Sequence, residues 1–299
     1  MRMTTLLYFI TILMIAGGLT GCAVATPSAE ATQAPFASTT ATATTTPIPM
    51  STPTTAPSPS STPTETGCQQ KAGSVVRVQV PSKFLASPMW VSVYTPPCCS
   101  TDPEEGYPVL YLLHGQNMDD NYWQTLGAPR IADEAILAGE RPFLMVMPYE
   151  ERNFEPVTES GFDEALIQEL IPWVDGQYPT CASRECRAIG GISRGGGWAV
   201  HVAVRNFELF GAVGAHSAGM MGDAWRIAQL LDSHEKTEFP RYYIDRGEDD
   251  YLAEYIDQFE AALTSNGIEH EFVISPGKHE DTYWQAHVED YMRWYMTGW

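Results

Sequence analysis

The stretch that most limits what this chain can fold into is Arg187-Ala188-Ile189-Gly190-Gly191-Ile192-Ser193-Arg194-Gly195-Gly196-Gly197-Trp198. An apolar run ends in glycines, and a serine sits between Gly191 and Gly195. Trp198, Ala199, Val200, Val202, Ala203 and Val204 follow at helical spacing. Strand, tight turn and helix in that order, with G-x-S-x-G at the turn, predict a nucleophile elbow. Such a turn forces the serine into a strained backbone conformation that only small neighbours permit, and Gly191 and Gly195 supply the room. The hydroxyl then stands at the start of a helix, where N–H groups and the helix dipole favour a developing negative charge. A glycine-rich turn with an incidental serine is the plainer reading. What separates the two is whether the rest of the chain supplies a base, an acid and a second oxyanion donor.

The patterning around the elbow places it in a fold. Val75 to Val80 and Trp90 to Thr95 read as two strands, expected as an antiparallel hairpin, and alternation in the second predicts that one of its faces is wetter. Tyr107 to Leu113 and Phe143 to Met147 are dense apolar runs of the kind that form buried parallel strands. Further strands are expected at Phe210 to Ala215, Tyr242 to Ile244 and Glu271 to Ile274. Helical faces are expected at Ile131 to Leu137, Phe162 to Val174, Leu252 to Leu263 and Tyr283 to Tyr295, with Gly267 as the C-terminal stop of the third. From residue 107 onward strands alternate with helices. That predicts an α/β fold with a mostly parallel sheet covered by helices on both faces. Sites in such sheets form at the carboxyl ends of strands, so His114, Ser193, His216, the segment Asp245 to Asp250 and His279 are expected on one edge.

The first 66 residues are of another kind. Met1 to Cys22 has a basic start at Arg2, an apolar core from Leu6 to Leu19 and then Thr20-Gly21-Cys22. The apolar run is short for a membrane span and suits a signal peptide. Leu19-Thr20-Gly21-Cys22 resembles the lipobox of bacterial lipoproteins, which implies export and lipidation of Cys22. Residues 23–66 are almost all Thr, Pro, Ser and Ala, too poor in apolar area to offset their ordering entropy, and are expected to be a disordered tether. The folded domain is then 67–299. Nearly all of the charged residues lie there, and the net charge is −20. Such a surface repels nucleic acid and anionic lipid, so membrane contact is expected through the anchor alone. Export permits disulfides. Cys181 and Cys186 flank a short loop and are placed to pair. If the first two strands form a hairpin, Cys68 falls near Cys98 or Cys99, and one cysteine is left over.

A serine hydroxyl is too weakly acidic to attack unaided at neutral pH and needs a base held by a carboxylate. In α/β-hydrolases the order is Ser, then Asp or Glu, then His. His201 lies in the helix after the elbow, His234 in a polar stretch, His270 inside a strand pattern and His287 in the last helix. His279 lies in the loop between the final strand and the final helix, where the base belongs, and His216 at a strand end is its rival. For the acid, Asp245, Glu248, Asp249 and Asp250 cluster after one strand, and composition does not choose among them. The oxyanion hole needs two backbone donors. One is expected at Arg194, next after the nucleophile, and the other at Gln116, with His114 shaping that loop. No H-E-x-x-H or close His/Asp cluster is present, so neither a metal nor another cofactor is expected.

These residues carry a resemblance. Tyr107-Pro108-Val109-Leu110-Tyr111-Leu112-Leu113-His114-Gly115, Glu169-Leu170-Ile171-Pro172, Gly190-Gly191-Ile192-Ser193-Arg194-Gly195-Gly196, Asp245-Arg246-Gly247-Glu248-Asp249-Asp250 and Gly277-Lys278-His279 are similar to the motifs of the α/β-hydrolase family named "Putative esterase". That family includes esterase D, which is S-formylglutathione hydrolase. It also includes feruloyl and acetyl-xylan esterases, enterochelin esterases and mycolyltransferases of the antigen 85 type. The resemblance spans about Val75 to Trp299 and implies an α/β-hydrolase fold. It implies Asp250 as the acid, hence a triad of Ser193, Asp250 and His279. Arg194 stands where the family commonly has methionine. The backbone donor survives that change, and a cation beside the nucleophile would favour acidic acyl groups unless it points into solvent.

The expected activity is hydrolysis of carboxylic esters through an acyl-enzyme, on a small-molecule or polysaccharide substrate such as a carbohydrate-linked acetyl or feruloyl ester. Trp123, Trp198 and Trp284, with Tyr122 and Tyr283, lie near the site in sequence and are candidates to stack on a sugar or an aromatic acyl group. Two other readings stand beside it. One is an acyltransferase in which a sugar hydroxyl resolves the acyl-enzyme, and the other is an inactive surface-binding module on a stalk.

Overall fold

The computed structural model describes residues 69–299 apart from 152, 153, 156, 222–228, 230–234, 236 and 237. The expected leader, lipidation site and tether lie outside the described residues, as do Cys68 and His234.

Eight strands form one sheet in the order β1-β2-β4-β3-β5-β6-β7-β8. They are β1 (Ser74–Val80), β2 (Met89–Thr95), β3 (Val109–Leu113), β4 (Leu144–Pro148), β5 (Arg187–Ile192), β6 (Ala212–His216), β7 (Arg241–Gly247) and β8 (His270–Ser275). β1 and β2 are an antiparallel hairpin, β2 joins β4 antiparallel, and every later pairing is parallel. Every residue of β3, β4, β5 and β6 is buried, which is why these strands read as apolar or small-residue runs, broken only by Arg187 at the start of β5 and His216 at the end of β6.

The pleat of β3 divides the core. Val109, Tyr111 and Leu113 face one side, and Leu110 and Leu112 the other. The first side packs against α4 (Phe162–Ala165), α5 (Ile171–Gln177), α6 (Arg194–Arg205) and α7 (Ala253–Asn266), through Phe162, Val174, Trp198 and Phe259. The second packs against α1 (Tyr122–Thr125), α2 (Ala128–Leu137) and α8 (Asp281–Met296), through Trp123, Ile131 and Tyr291. A one-turn helix (α3, Val157–Ser160) precedes α4. Gly267 ends α7 in the left-handed conformation, as expected from its position.

Three local expectations are corrected. The alternation in β2 does not mark a wet face, because Val91, Ser92, Val93 and Tyr94 are all buried. β2 lies between two strands, and its polar side chains find partners inside. The Ser92 hydroxyl donates to Asp120 at 2.8 Å and the Tyr94 hydroxyl to Asp133 at 2.8 Å. The exposed edge strand on this side of the sheet is β1. The helical face from Phe162 to Val174 is not one regular helix, since a π-helical turn, Leu166–Leu170, joins α4 to α5. Pro172 follows it and has no N–H to give to the fourth carbonyl back, so a wider turn relieves the clash there. Asp245, expected after the strand Tyr242 to Ile244, lies within β7, which runs on to Gly247, while His216 is the last residue of β6, the strand end expected for it.

Cys181 and Cys186 form the expected disulfide. Cys98 and Cys99 are both disulfide-bonded as well.

Candidate active site

The elbow takes the form the glycines allow. Ser193 has φ 55° and ψ −118°, a conformation that side-chain-bearing residues rarely adopt. It is held by the Ser193 N–H donating to the His216 carbonyl at 2.9 Å, and by the Gly219 and Gly197 N–H groups donating to the Ser193 carbonyl at 2.7 and 3.0 Å. A Cβ on Gly191 would sit 2.3 Å from the Gly195 backbone, and one on Gly195 would sit 2.4 Å from the Leu113 carbonyl oxygen. The first turn of α6 therefore presses against both β5 and the end of β3.

Two further glycines bring His279 and Asp250 together. A Cβ on Gly247 would meet the Gly277 carbonyl at 2.4 Å, so the turns after β7 and β8 touch backbone to backbone. The Asp249 N–H donates to the Gly277 carbonyl at 2.9 Å across that contact. His279 Nε2 lies 2.8 Å from Ser193 Oγ, and His279 Nδ1 lies 3.1 and 3.2 Å from the two Asp250 oxygens. A carboxylate only accepts, so the proton sits on Nδ1 and the Nε2 lone pair faces the serine hydroxyl. Burial pushes the Asp250 carboxyl up, but hydrogen bonds from His279 and from the Leu252 N–H outweigh it, and its pKa ends below the ordinary value. Of the four acidic candidates, Glu248 and Asp249 are exposed. Asp245 is buried elsewhere, against His216 at 2.8 Å and the hydroxyls of Tyr283 and Tyr291 at 2.9 and 2.8 Å. His216, the rival base, spends its Nε2 on the Tyr295 hydroxyl at 2.9 Å.

The loop after β3 faces the same serine. His114 is buried and accepts from the Glu150 N–H at Nε2, 2.9 Å away, so its Nδ1 carries the proton and donates to the Gly115 carbonyl at 2.7 Å. Burial lowers its pKa, in keeping with a neutral ring. It shapes the loop and does not approach Ser193 as a base. Among the described residues, no acceptor takes the N–H of Gln116 or of Arg194. The Arg194 side chain is not a free cation. It makes a bidentate pair with Glu150 at 2.8 and 2.6 Å and also donates to the Glu155 carbonyl at 2.9 Å, which removes the expected preference for acidic acyl groups.

The loop is pinned at its far end by Asp120, which is buried and accepts from Arg77 at 2.7 and 2.9 Å and from Ser92. Burial raises its pKa, but the Arg77 and Ser92 hydrogen bonds win and leave it lowered. A lowered native carboxylate contributes stability above its unfolded pKa of about 4, and that contribution is lost as pH falls through the native value. The melting temperature of the native protein is therefore expected to exceed that of Asp120→Asn at pH 6, with the gap closing towards pH 3. A gap that stays constant with pH would contradict this.

A pocket of about 350 Å³ opens on Ser193 and His279, lined also by Gln116, Asn117, Met118, Tyr251 and Trp284. A second hollow of about 620 Å³ shares Gln116, Asn117, Met118 and Asp281 with it and continues to Asp119, Tyr122 and Tyr149. Trp284 stands edge-on to His279 with ring centres 5.0 Å apart. Trp123 and Trp198 are corrected, for neither lines these hollows. Trp123 is buried, donates to the Leu113 carbonyl at 3.1 Å and packs on His216. Trp198 is buried against Phe162. Tyr283 is likewise core. Tyr251 was missed: its ring lies 4.6 Å from His279 and it is 73 % exposed. Its place next to Asp250 was the available signal.

The family described as "Putative esterase" matches residues 82–295. An endo-1,4-beta-xylanase/feruloyl esterase of Xylanibacter ruminicola is 31 % identical over 195 residues, covering 62 % of this chain and 26 % of that protein. The chain spans about a quarter of the length of the first curated relatives it matches. Among solved structures, a ferulic acid esterase superposes with a TM-score of 0.67 at 23 % identity, covering 76 % of this chain and all of that one. An S-formylglutathione hydrolase from Staphylococcus aureus gives 0.61 at 18 %, covering 74 % and 98 %. Both share the α/β-hydrolase fold built here. With the family's pattern matched along most of its length, the chain belongs to the putative esterase family.

Proposed function

We propose that this protein is a serine carboxylesterase. The observation that carries the reading is the relay from Asp250 through His279 to Ser193 at 3.1 and 2.8 Å, with the serine on a strained elbow at the head of α6. Ser193 Oγ attacks the acyl carbon while His279 Nε2 takes its proton. The N–H groups of Arg194 and Gln116 receive the developing oxyanion. His279 then returns the proton to the leaving alcohol, and water deacylates the enzyme by the same steps in reverse.

The substrate class proposed is a carbohydrate-linked ester of a small or aromatic acid. The hollow that adjoins the serine pocket, about 620 Å³ in volume, is lined by Tyr122, Tyr149, Asp119 and Asn117, a mixture of aromatic faces and hydrogen-bonding groups suited to a sugar. Relatives named as feruloyl and acetyl esterases agree with that class. The leader and the Thr/Pro-rich stretch support export and anchoring through Cys22, with the domain outside the cytoplasm.

The test is turnover of p-nitrophenyl acetate, p-nitrophenyl butyrate, methyl ferulate and acetylated xylan, with and without added xylo-oligosaccharide as an acyl acceptor. Hydrolysis that the acceptor does not divert is expected. Acyl transfer to the sugar would replace hydrolase with transferase, and no turnover with no fluorophosphonate labelling would leave a binding module. For the anchor, Cys22→Ala is expected to lose a lipid-dependent membrane fraction and appear in the medium. Equal membrane retention of both forms would remove the anchor.

A further inference from the structure

We infer that Glu150 is a positioning residue that sets both arms of the oxyanion hole at once; this rests on the serine esterase reading. The two backbone donors assigned to the oxyanion come from segments far apart in sequence, the loop after β3 and the first turn of α6. Each is tied to Glu150 by a different part of that residue. Its N–H donates to His114 Nε2 at 2.9 Å, and His114 Nδ1 donates to the Gly115 carbonyl at 2.7 Å, which fixes the peptides leading to Gln116. Its carboxylate takes the Arg194 guanidinium at 2.8 and 2.6 Å, which fixes the residue whose N–H is the other donor.

The clamp is well placed to matter. Glu150 is 4 % exposed and the Arg194 side chain 15 %, so the pair is little screened by water. The guanidinium is held at a third point by the Glu155 carbonyl at 2.9 Å. The arms also touch each other, because a Cβ on Gly195 would lie 2.5 Å from the His114 carbonyl oxygen. A shift of either arm is therefore felt by the other. Oxyanion stabilisation depends on donors already aimed at where charge will develop, so a small displacement costs rate without changing how the ground-state ester binds. Arg194 gains a purpose here, as the charged partner that lets a buried glutamate hold both segments.

The experiment uses the full-length protein, with active sites counted by fluorophosphonate titration and rates expressed per titrated site. On p-nitrophenyl acetate, Glu150→Ala is expected to lower kcat about 10- to 100-fold, less than the loss of a whole oxyanion donor, with KM within about twofold. Phenylboronic acid, whose serine adduct places an oxygen at the oxyanion position, should bind more weakly by a similar factor. Glu150→Gln keeps the shape and part of the contact and should fall between. Arg194→Met should match Glu150→Ala, and the double variant should be no worse than either, since both break one clamp. A merely structural role would lower the titrated fraction and leave kcat per site unchanged. The inference is overturned if Glu150→Gln and Arg194→Met both keep native kcat per titrated site, or if losses appear only in KM. If Glu150→Ala yields no folded protein, those two variants decide. A native protein that takes no label sinks the esterase reading, and the clamp with it.

Discussion

Ser193→Ala is expected to lower kcat on p-nitrophenyl acetate by about 10⁴- to 10⁶-fold, and His279→Ala by about as much, while the double variant is no slower than either alone. The reason is mechanical. On the proposed mechanism, attack by Ser193 and proton removal by His279 are one event across a 2.8 Å contact, so deleting either partner removes the whole route. Asp250→Asn should cost about 10⁴-fold, because an amide at 3.1 Å can present N–H to Nδ1 and favour the tautomer whose Nε2 is protonated. At about 1.4 kcal/mol per factor of ten, the triad then supplies roughly 5.5 to 8 kcal/mol of barrier lowering. What remains belongs to binding and the oxyanion donors. Steady-state rates on the four proteins decide it. Losses that add up in the double variant, or a single variant keeping a tenth of native activity, would mean that Ser193 and His279 do not act as one unit.

Much of this site was legible in the sequence because its parts are set by local backbone demands. Gly191 and Gly195 are glycines because a Cβ at either would strike backbone, and that requirement leaves a mark between a strand and a helix. Gly247 and Gly277 mark in the same way the contact that brings Asp250 beside His279. The choice of Asp250 was less local. It rested on family likeness, because only tertiary packing shows that Asp245 is claimed by His216 and two tyrosines while Glu248 and Asp249 face water. Trp123 and Trp198 failed for a related reason, while Trp284 does line the pocket. Closeness in sequence to Ser193 says nothing about which side of α6 a ring leaves from, and Trp198 leaves into the core. Arg194 read as a free cation because its partner, Glu150, lies 44 residues earlier, two residues past the end of β4. The wet face assigned to β2 failed because alternation reports polarity and not exposure, and Ser92 and Tyr94 bring their polarity inside with partners.

A carboxylate buried beside this site gives the second large effect, and it falls on stability. Asp245→Leu is expected to lower the melting temperature by roughly 6 to 20 °C. Asp245 is 1 % exposed and accepts from His216 Nδ1, Tyr283 and Tyr291 at 2.8, 2.9 and 2.8 Å, while His216 Nε2 meets the Tyr295 hydroxyl. The cluster joins β6 and β7 to α8, the helix that begins two residues after His279. Leucine would leave an imidazole N–H and two hydroxyls buried without their acceptor. Each buried donor left without its acceptor costs about 1 to 3 kcal/mol, so losing all three costs roughly 3 to 5 kcal/mol or more, against a total stability of about 5 to 15 kcal/mol. For a domain of this size each kcal/mol moves the melting temperature by about 2 to 4 °C. Tyr283→Phe removes one of three donors and should cost about 1 kcal/mol, a shift of only a few degrees. Asp245→Asn, which keeps an acceptor but loses the charge, should lie between. The order of the three melts is the test, because it follows how many buried groups lose a partner. An Asp245→Leu protein melting within 3 °C of native would mean that the core closes over these groups, or that water reaches them, and the cluster does not hold the strand ends. Such a variant should also lose turnover per titrated site, since the Ser193 N–H rests on the His216 carbonyl and any shift of β6 reaches the elbow.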